Sequence, residues 1–378
     1  MDSVEPKKSV TWVTPDYFVD CDFNLEIFTG ILKHYKVHWI VLLPINNSRF
    51  KESDFEAIGK LQGLSIEFMY WRCRARSPKM LIFYEALYQR IKKLNAELLY
   101  FNEVPINPYI LPLYWRLNKR NSIFTAHDGS VKFSFKIPWL AKIIHNAAYI
   151  TARFVNMFSE TQASLFKRDF KNSKIFIIPL ALKDFGECRL PKREDAIIFL
   201  FFGSINVNKN LGLLIEAACN LHEKGIRGFK VCIHGYCNDW ANYQLQVRYP
   251  EIFEIDIRLH QNNEIPVLFA TSHYGVFPYK EISQSGALKV AFNYNLPVIT
   301  SDLEGFTDEV KNGINGFVFN TEDVNDLERV MRDKLSISDA SYNNMVKNIA
   351  TYNKNTYAND ILVKKYVSMF NEILNIRN

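Results

Sequence analysis

The chain has 378 residues, of which 48% are hydrophobic and 23% charged, so wholesale disorder is excluded and two domains of ordinary size are expected. The 46 Lys and Arg against 40 Asp and Glu leave a formal charge of +6, but residues 1–178 carry +9 and the remainder −3. The longest apolar run, residues 196–202, is far short of a bilayer span, and Met1-Asp2-Ser3-Val4-Glu5 lacks the apolar core of a signal peptide. Six scattered cysteines form neither a disulfide framework nor a zinc spacing, so a reduced, cytoplasmic protein is expected.

Residues 10–13, 37–43, 64–69 and 122–125 have the β-branched and aromatic density of strands, and residues 23–35, 53–61 and 80–95 have helical spacing. Strand and helix in alternation predict a parallel α/β architecture. Prolines, Gly186 and charges interrupt the pattern over residues 179–195, which reads as a linker. A second series then starts with a buried strand over 196–202, a turn-rich loop from Gly203 to Asn208, and a helix with Leu211, Leu214, Ile215, Ala218 and Leu221 on one face. Further strands are expected at 230–233, 274–277, 297–300 and 316–319. From Thr356 to Ile376, one helical face carries Leu362, Tyr366, Phe370, Ile373 and Leu374. The expected organisation is an N-terminal domain over 1–178, a second domain over 196–355, and a helix over 356–378 that crosses back to the first. Such folds bind ligands at the carboxyl ends of their strands.

The second half carries four short motifs in order. Phe202-Gly203-Ser204 through Lys209 is a strand, a glycine turn and a lysine before a helix. Phe277-Pro278-Tyr279-Lys280-Glu281-Ile282-Ser283-Gln284-Ser285-Gly286 follows, then Pro297-Val298-Ile299, and last Glu304-Gly305-Phe306 with Asn312-Gly313-Ile314-Asn315-Gly316. Over roughly residues 196–335 this series resembles the donor domain of GT-B glycosyltransferases of family 4. The N-terminal half is similar only in general organisation. The resemblance implies two Rossmann-like domains facing across a cleft. It further implies metal-independent, hexosyltransferase-like transfer with retention from a UDP- or GDP-linked sugar, with no other cofactor. A saccharide or lipid-linked saccharide acceptor would suit cell-surface polysaccharide or glycolipid synthesis.

Residue chemistry agrees with that reading. A diphosphate is stabilised by helix N-termini, bare backbone amides and a cation. Ser285-Gly286 stands where a loop enters a helix, and Gly286 has no Cβ to keep an oxygen from the amides. Lys209 stands at the start of the helix after the first strand of this half and can reach the same anion. An ordinary N-cap and a solvated first-turn lysine are the plain alternatives. Gly203, Ser204, Gly235 and Gln284 complete the donor-binding set that the resemblance implies.

Two departures stand out. Ser204 occupies the position where the family usually has arginine. The family's paired glutamates fall on Ile282 and Val290, leaving Glu281, one residue away, as the catalytic-side carboxylate. Gln284-Ser285-Gly286 is then expected to take over part of the phosphate work.

In the first half, His127 and Asp128 follow a strand. The resemblance implies that His127 faces the donor sugar, with Asp128 on the acceptor side; a histidine satisfied by its neighbour is the alternative. Asp20-Cys21-Asp22 could hold a metal, but Asp22 fits a helix cap better, so no metal is expected and both aspartates read as acceptor-side groups. The basic surplus centres on Trp71, Arg72, Arg74, Arg76 and Lys79, where cations interleaved with aromatics suit an anionic membrane surface at the inner face. A solvated face is the alternative, and no nucleic-acid motif accompanies the cluster. Three functions compete: a glycosyltransferase, a catalytically weak partner subunit of the same fold, and a nucleotide-sugar epimerase.

Overall fold

The computed structural model describes residues 7–16, 19, 25–46, 48, 50–102, 107–131 and 137–377. The chain forms two compact units, one of residues 1–181 with 358–378 and the other of residues 182–357.

Among the described residues the first unit has seven strands: β1 Ser9–Pro15, β2 Lys36–Pro44, β3 Leu64–Trp71, β4 Leu98–Phe101, β5 Ser122–Ala126, β6 Phe154–Met157 and β7 Lys174–Ile177. Their order is β3-β2-β1-β4-β5-β6-β7, and every pairing is parallel. Consecutive side chains point to opposite faces of the sheet, so each strand feeds two cores. Trp12, Trp39, Tyr100, Ile123 and Phe154 fill one; Val13, Ile40, Phe101, Phe124 and Val155 fill the other. Helices α1 Leu25–Leu32, α2 Met80–Leu94, α3 Pro138–Tyr149 and α4 Glu160–Asp169 cover the faces. The C-terminal helix Asn359–Arg377 belongs to this unit and buries Leu362, Met369, Phe370, Ile373 and Leu374 beside Trp12. It lies so close to α1 that a Cβ on Gly30 would collide with Val363.

The second unit has six parallel strands: β8 Ile197–Phe202, β9 Phe229–His234, β10 Phe253–Asp256, β11 Tyr274–Phe277, β12 Val298–Ser301 and β13 Gly316–Phe319. They are ordered β10-β9-β8-β11-β12-β13. Helices α5 Leu211–Glu223, α6 Gly286–Asn293, α7 Val324–Lys334 and α8 Asp339–Thr356 pack on it. Inside this core the Lys289 ammonium is paired with Glu309, and the Tyr357 hydroxyl touches both partners. Burial pulls the Lys289 pKa down against the opposing pull of Glu309.

The α/β class is as expected, with differences at element boundaries. α8 ends at Thr356, and the C-terminal helix starts only at Asn359. Residues 53–61 form a 3-10 turn, Glu52–Phe55, followed by the short helix Glu56–Gly59. The helix expected over 23–35 runs from Leu25 to Leu32 in the described residues. Strands β4, β6 and β7 have only four residues each, too short to show a period.

Candidate functional site

β8 and β11 are hydrogen-bonded neighbours in the second sheet. Strand order proceeds outward from them in opposite directions, through β9 and β10 on one side and β12 and β13 on the other. Loops leaving such a pair at their carboxyl ends diverge and open a crevice. Both motif loops of the second half start there.

After β8, Gly203 adopts φ +118°, a conformation that side-chain-bearing residues rarely take, and its N–H donates to the His234 carbonyl at 3.0 Å. Gly235, after β9, approaches so closely that a Cβ on it would collide with the Gly203 carbonyl. Its glycine is therefore required by the packing of the two loops. Ser204 is exposed. Lys209 closes a 3-10 turn, Val207–Lys209, capped by the Asn206 side chain, which accepts from the Asn208 N–H at 3.1 Å. Asn210, at φ +49°, then redirects the chain into α5. The lysine thus precedes the helix and does not open it.

The loop after β11 is tied to this one. The Lys280 N–H donates to the Asn208 carbonyl at 2.9 Å, and Asn208 Nδ2 lies 3.4 Å from Glu281 Oε2. The Lys209 ammonium sits 3.8 Å from the centroid of the Tyr279 ring. Tyr279 is buried, which raises the pKa of its phenol. Ser285 caps α6, its hydroxyl accepting from the Leu288 N–H at 3.1 Å. The first N–H groups of α6 have no acceptor within the helix and point out of its start. Gln284, half-buried, precedes this cap. Lys209, Tyr279, Glu281, Ser285 and Gly286 therefore gather at one sheet edge.

One further cation reaches it. Lys183 Nζ lies 3.4 Å from where a Cβ on Gly286 would stand. The segment carrying it runs along α6: Phe185 N–H donates to the Tyr294 hydroxyl at 3.3 Å, and that hydroxyl donates to the Gly186 carbonyl at 2.9 Å. Sequence reasoning missed Lys183 because this stretch has no periodicity and reads as linker. The positions of the family's paired glutamates carry no carboxylate: Val290 is buried in the core and Ile282 packs against it.

In the first unit, His127 and Asp128 follow β5 at the carboxyl edge of the sheet. His127 Nδ1 lies 3.4 Å from Asp128 Oδ1, and the ring meets Phe158 at 5.7 Å between centroids. Both residues are about a quarter exposed, at 27% and 24%. The loop is held from below, since the Gly129 N–H donates to Gln162 Oε1 at 2.7 Å and a Cβ there would collide with the Gln162 carbonyl. Asp20 and Asp22 lie outside the described residues.

Trp71 ends β3 half-buried, with its ring 5.6 Å from that of Phe83. Arg72, Arg74, Arg76 and Lys79 are exposed in the loop before α2. Among the described residues one group, His234, Asp256 and His260, brings three potential metal-ligand atoms within 4.8 Å. Arg258 already binds both Asp256 oxygens, at 3.1 and 2.9 Å, so that carboxylate is committed to an ion pair.

Residues 196–336 match the family model described as glycosyl transferases group 1. Among curated proteins no sequence matches the chain. Solved structures resemble it over nearly its whole length. A glycosyltransferase from Rickettsia africae superposes with a TM-score of 0.73 at 14% identity, over 97% of this chain and 99% of that one. The sucrose-phosphate synthase of Thermosynechococcus elongatus gives 0.76 at 13%, over 98% and 100%. Anabaena HepE, in complex with UDP and glucose, gives 0.70 at 13%, over 97% and 100%. These likenesses show the fold, that of the GT-B glycosyltransferases.

Proposed function

We propose, from the match of residues 196–336 to the glycosyl transferases group 1 model, that the protein moves a hexose from a nucleotide sugar to a saccharide or lipid-linked saccharide. The observation that carries this reading is the convergence of Lys209, Lys183 and the start of α6 at the edge of β8 and β11. Two cations and a helix N-terminus suit a diphosphate, the part common to all nucleotide sugars. Lys183 supplies a positive charge where Ser204 has removed the family's usual arginine. A UDP-linked donor is favoured over a GDP-linked one because HepE, of the same fold, holds UDP and glucose.

The remaining roles are proposals of the same reading. The N–H groups of Gly286 and Ala287 hold phosphate oxygens, Gln284 supports the loop, and Glu281 orients the sugar. Two lysines and the helix start neutralise the leaving diphosphate, so transfer needs no metal and no cofactor. His127 hydrogen-bonds a sugar hydroxyl during transfer with retention, and Asp128 orients its ring. The product belongs to cell-surface polysaccharide or glycolipid synthesis, with the enzyme peripheral on an anionic membrane.

A panel of nucleotide sugars read by melting temperature and by hydrolysis tests the reading. At least one should raise the melting temperature and be hydrolysed slowly. A panel in which none shifts the transition would sink it. Binding without hydrolysis or transfer would favour the second reading, a partner subunit, which the missing carboxylate at Val290 supports.

A further inference from the structure

Helix α3 is apolar on two faces. Ala141, Ile144, Ala148 and Tyr149 turn inward to the core. On the opposite face Trp139 is 66% exposed and Ile143 56%, and Ile150, which follows the helix, is 72% exposed. The spacing of Trp139, Ile143 and Ile150 places them on one helical stripe. Core packing explains the first face and leaves the second unexplained, since exposing a tryptophan and two isoleucines in a row is unfavourable in water.

The stripe has neighbours of the same kind. Trp115, 52% exposed, donates its indole N–H to the Ala147 carbonyl at 2.9 Å, which fixes it beside α3. The short helix Leu111–Arg116 that carries it touches both α3 and α2. At the start of α2, Leu81 and Ile82 are exposed, two and three residues after Lys79.

Charge selects the occupant. From Gly129 to Ser159 the sequence carries Lys132, Lys136, Lys142 and Arg153 and neither Asp nor Glu. Lys142 is exposed on the flank of the same stripe. Cores of protein–protein contacts are depleted in lysine, whereas a stripe of Trp and Ile flanked by cations fits the headgroup boundary of an anionic bilayer. No helix among the described residues is long and apolar enough to cross a membrane, so contact would be superficial.

We infer that the outer face of α3, with Trp115, Leu81 and Ile82, docks the first unit on an anionic lipid surface, Trp139 and Ile143 entering the interface and Lys142 meeting phosphate. This places the contact on a different element from Trp71. The inference rests on the proposed lipid-linked acceptor for its purpose only. Vesicle binding is measured without donor or acceptor, so it succeeds or fails separately from the transferase reading.

The experiment is flotation of the full chain with vesicles of phosphatidylcholine alone or with phosphatidylglycerol, at low and high salt. Wild type should float with the anionic vesicles, and less so at high salt. Trp139→Ser with Ile143→Ser should lower partitioning by on the order of tenfold or more. Quenching of tryptophan fluorescence by brominated lipid, reduced in Trp139→Phe, reads the same contact with the fold undisturbed. No flotation with either vesicle, or flotation and quenching unchanged by these substitutions, would overturn the inference. So would a wild type that dimerises through this face and stays off vesicles while the double variant is monomeric.

Discussion

The Lys209 ammonium rests 3.8 Å from the centre of the Tyr279 ring, joining two loops that leave adjacent strands. The ring is fixed by burial, so it holds a flexible lysine between the two loops. A cation kept in place before the ligand arrives loses less entropy on binding.

Lys209→Ala should therefore weaken binding of a nucleotide sugar by roughly tenfold, on the scale of one charge-assisted hydrogen bond. Binding of the free nucleoside, which has no phosphate, should barely change. Lys183→Met should act in the same direction, and the double variant should show coupling because both cations face one anion. Titration calorimetry with both ligands decides it; equal losses for sugar nucleotide and nucleoside would remove the phosphate role.

A different split is expected at His127. Contact with the sugar only during transfer predicts that His127→Ala lowers turnover by about a hundredfold with little change in nucleotide affinity. Asp128→Asn should have a smaller effect in the same direction. The comparison is kcat under saturating donor against the donor dissociation constant. An unaltered kcat would leave His127 as a loop residue held by Asp128.

The parts of this molecule that sequence reasoning reaches are those written locally. β8 is an apolar run with a glycine behind it, and the Ser285 cap stands directly before its helix. What escaped is written in contacts between distant segments. Lys183 becomes a site candidate only because residues 183–186 lie along α6, which no local pattern reveals. The outer stripe of α3 was hidden for a related reason, since a helix apolar on both sides reads as buried until its surroundings are known. β10, with alternating Phe253, Glu254, Ile255 and Asp256, is an edge strand too short to separate from a loop.

The buried ion pair gives a stability prediction. Glu309→Leu would leave the Lys289 ammonium, 1% exposed, without its counter-charge, and should cost about 3–5 kcal/mol in denaturant unfolding. Adding Lys289→Met should recover most of that loss, because replacing both charges by apolar groups removes the unpaired one. A double variant no more stable than the single would show that the pair acts through shape and not through charge.

Phe370 tests the C-terminal helix. Its ring packs against Trp12, Tyr35 and Tyr100 with centroid separations of 6.4, 5.3 and 6.0 Å. Phe370→Ala should destabilise the first unit by about 3–5 kcal/mol through lost burial and a cavity. A urea midpoint unchanged from wild type would show that the helix contributes little to that core.

The last prediction concerns acid. His273 Nδ1 accepts a hydrogen bond from the Ile198 N–H at 3.1 Å, so the ring must be neutral to fit its place ahead of β11. Burial, then the nearby charges of Lys192 and Arg193, lower its pKa from 6.5 to about 4. Above pH ~6.5 the ring is neutral in both folded and unfolded chains and has no effect. Between about 6.5 and 4 the unfolded chain binds a proton that the folded one does not, so stability falls as pH falls. Below about 4 both states are protonated and the loss is complete. Its ceiling is ~3 kcal/mol, reduced in practice because the ring is only half-buried and solvent screens it. His273→Asn offers an oxygen acceptor to Ile198 and removes the titration. Unfolding free energies by urea at pH 7.5, 6, 5 and 4.5 should therefore decline less steeply in the variant than in wild type. Parallel declines would mean that the acid sensitivity originates elsewhere, in the paired carboxylates.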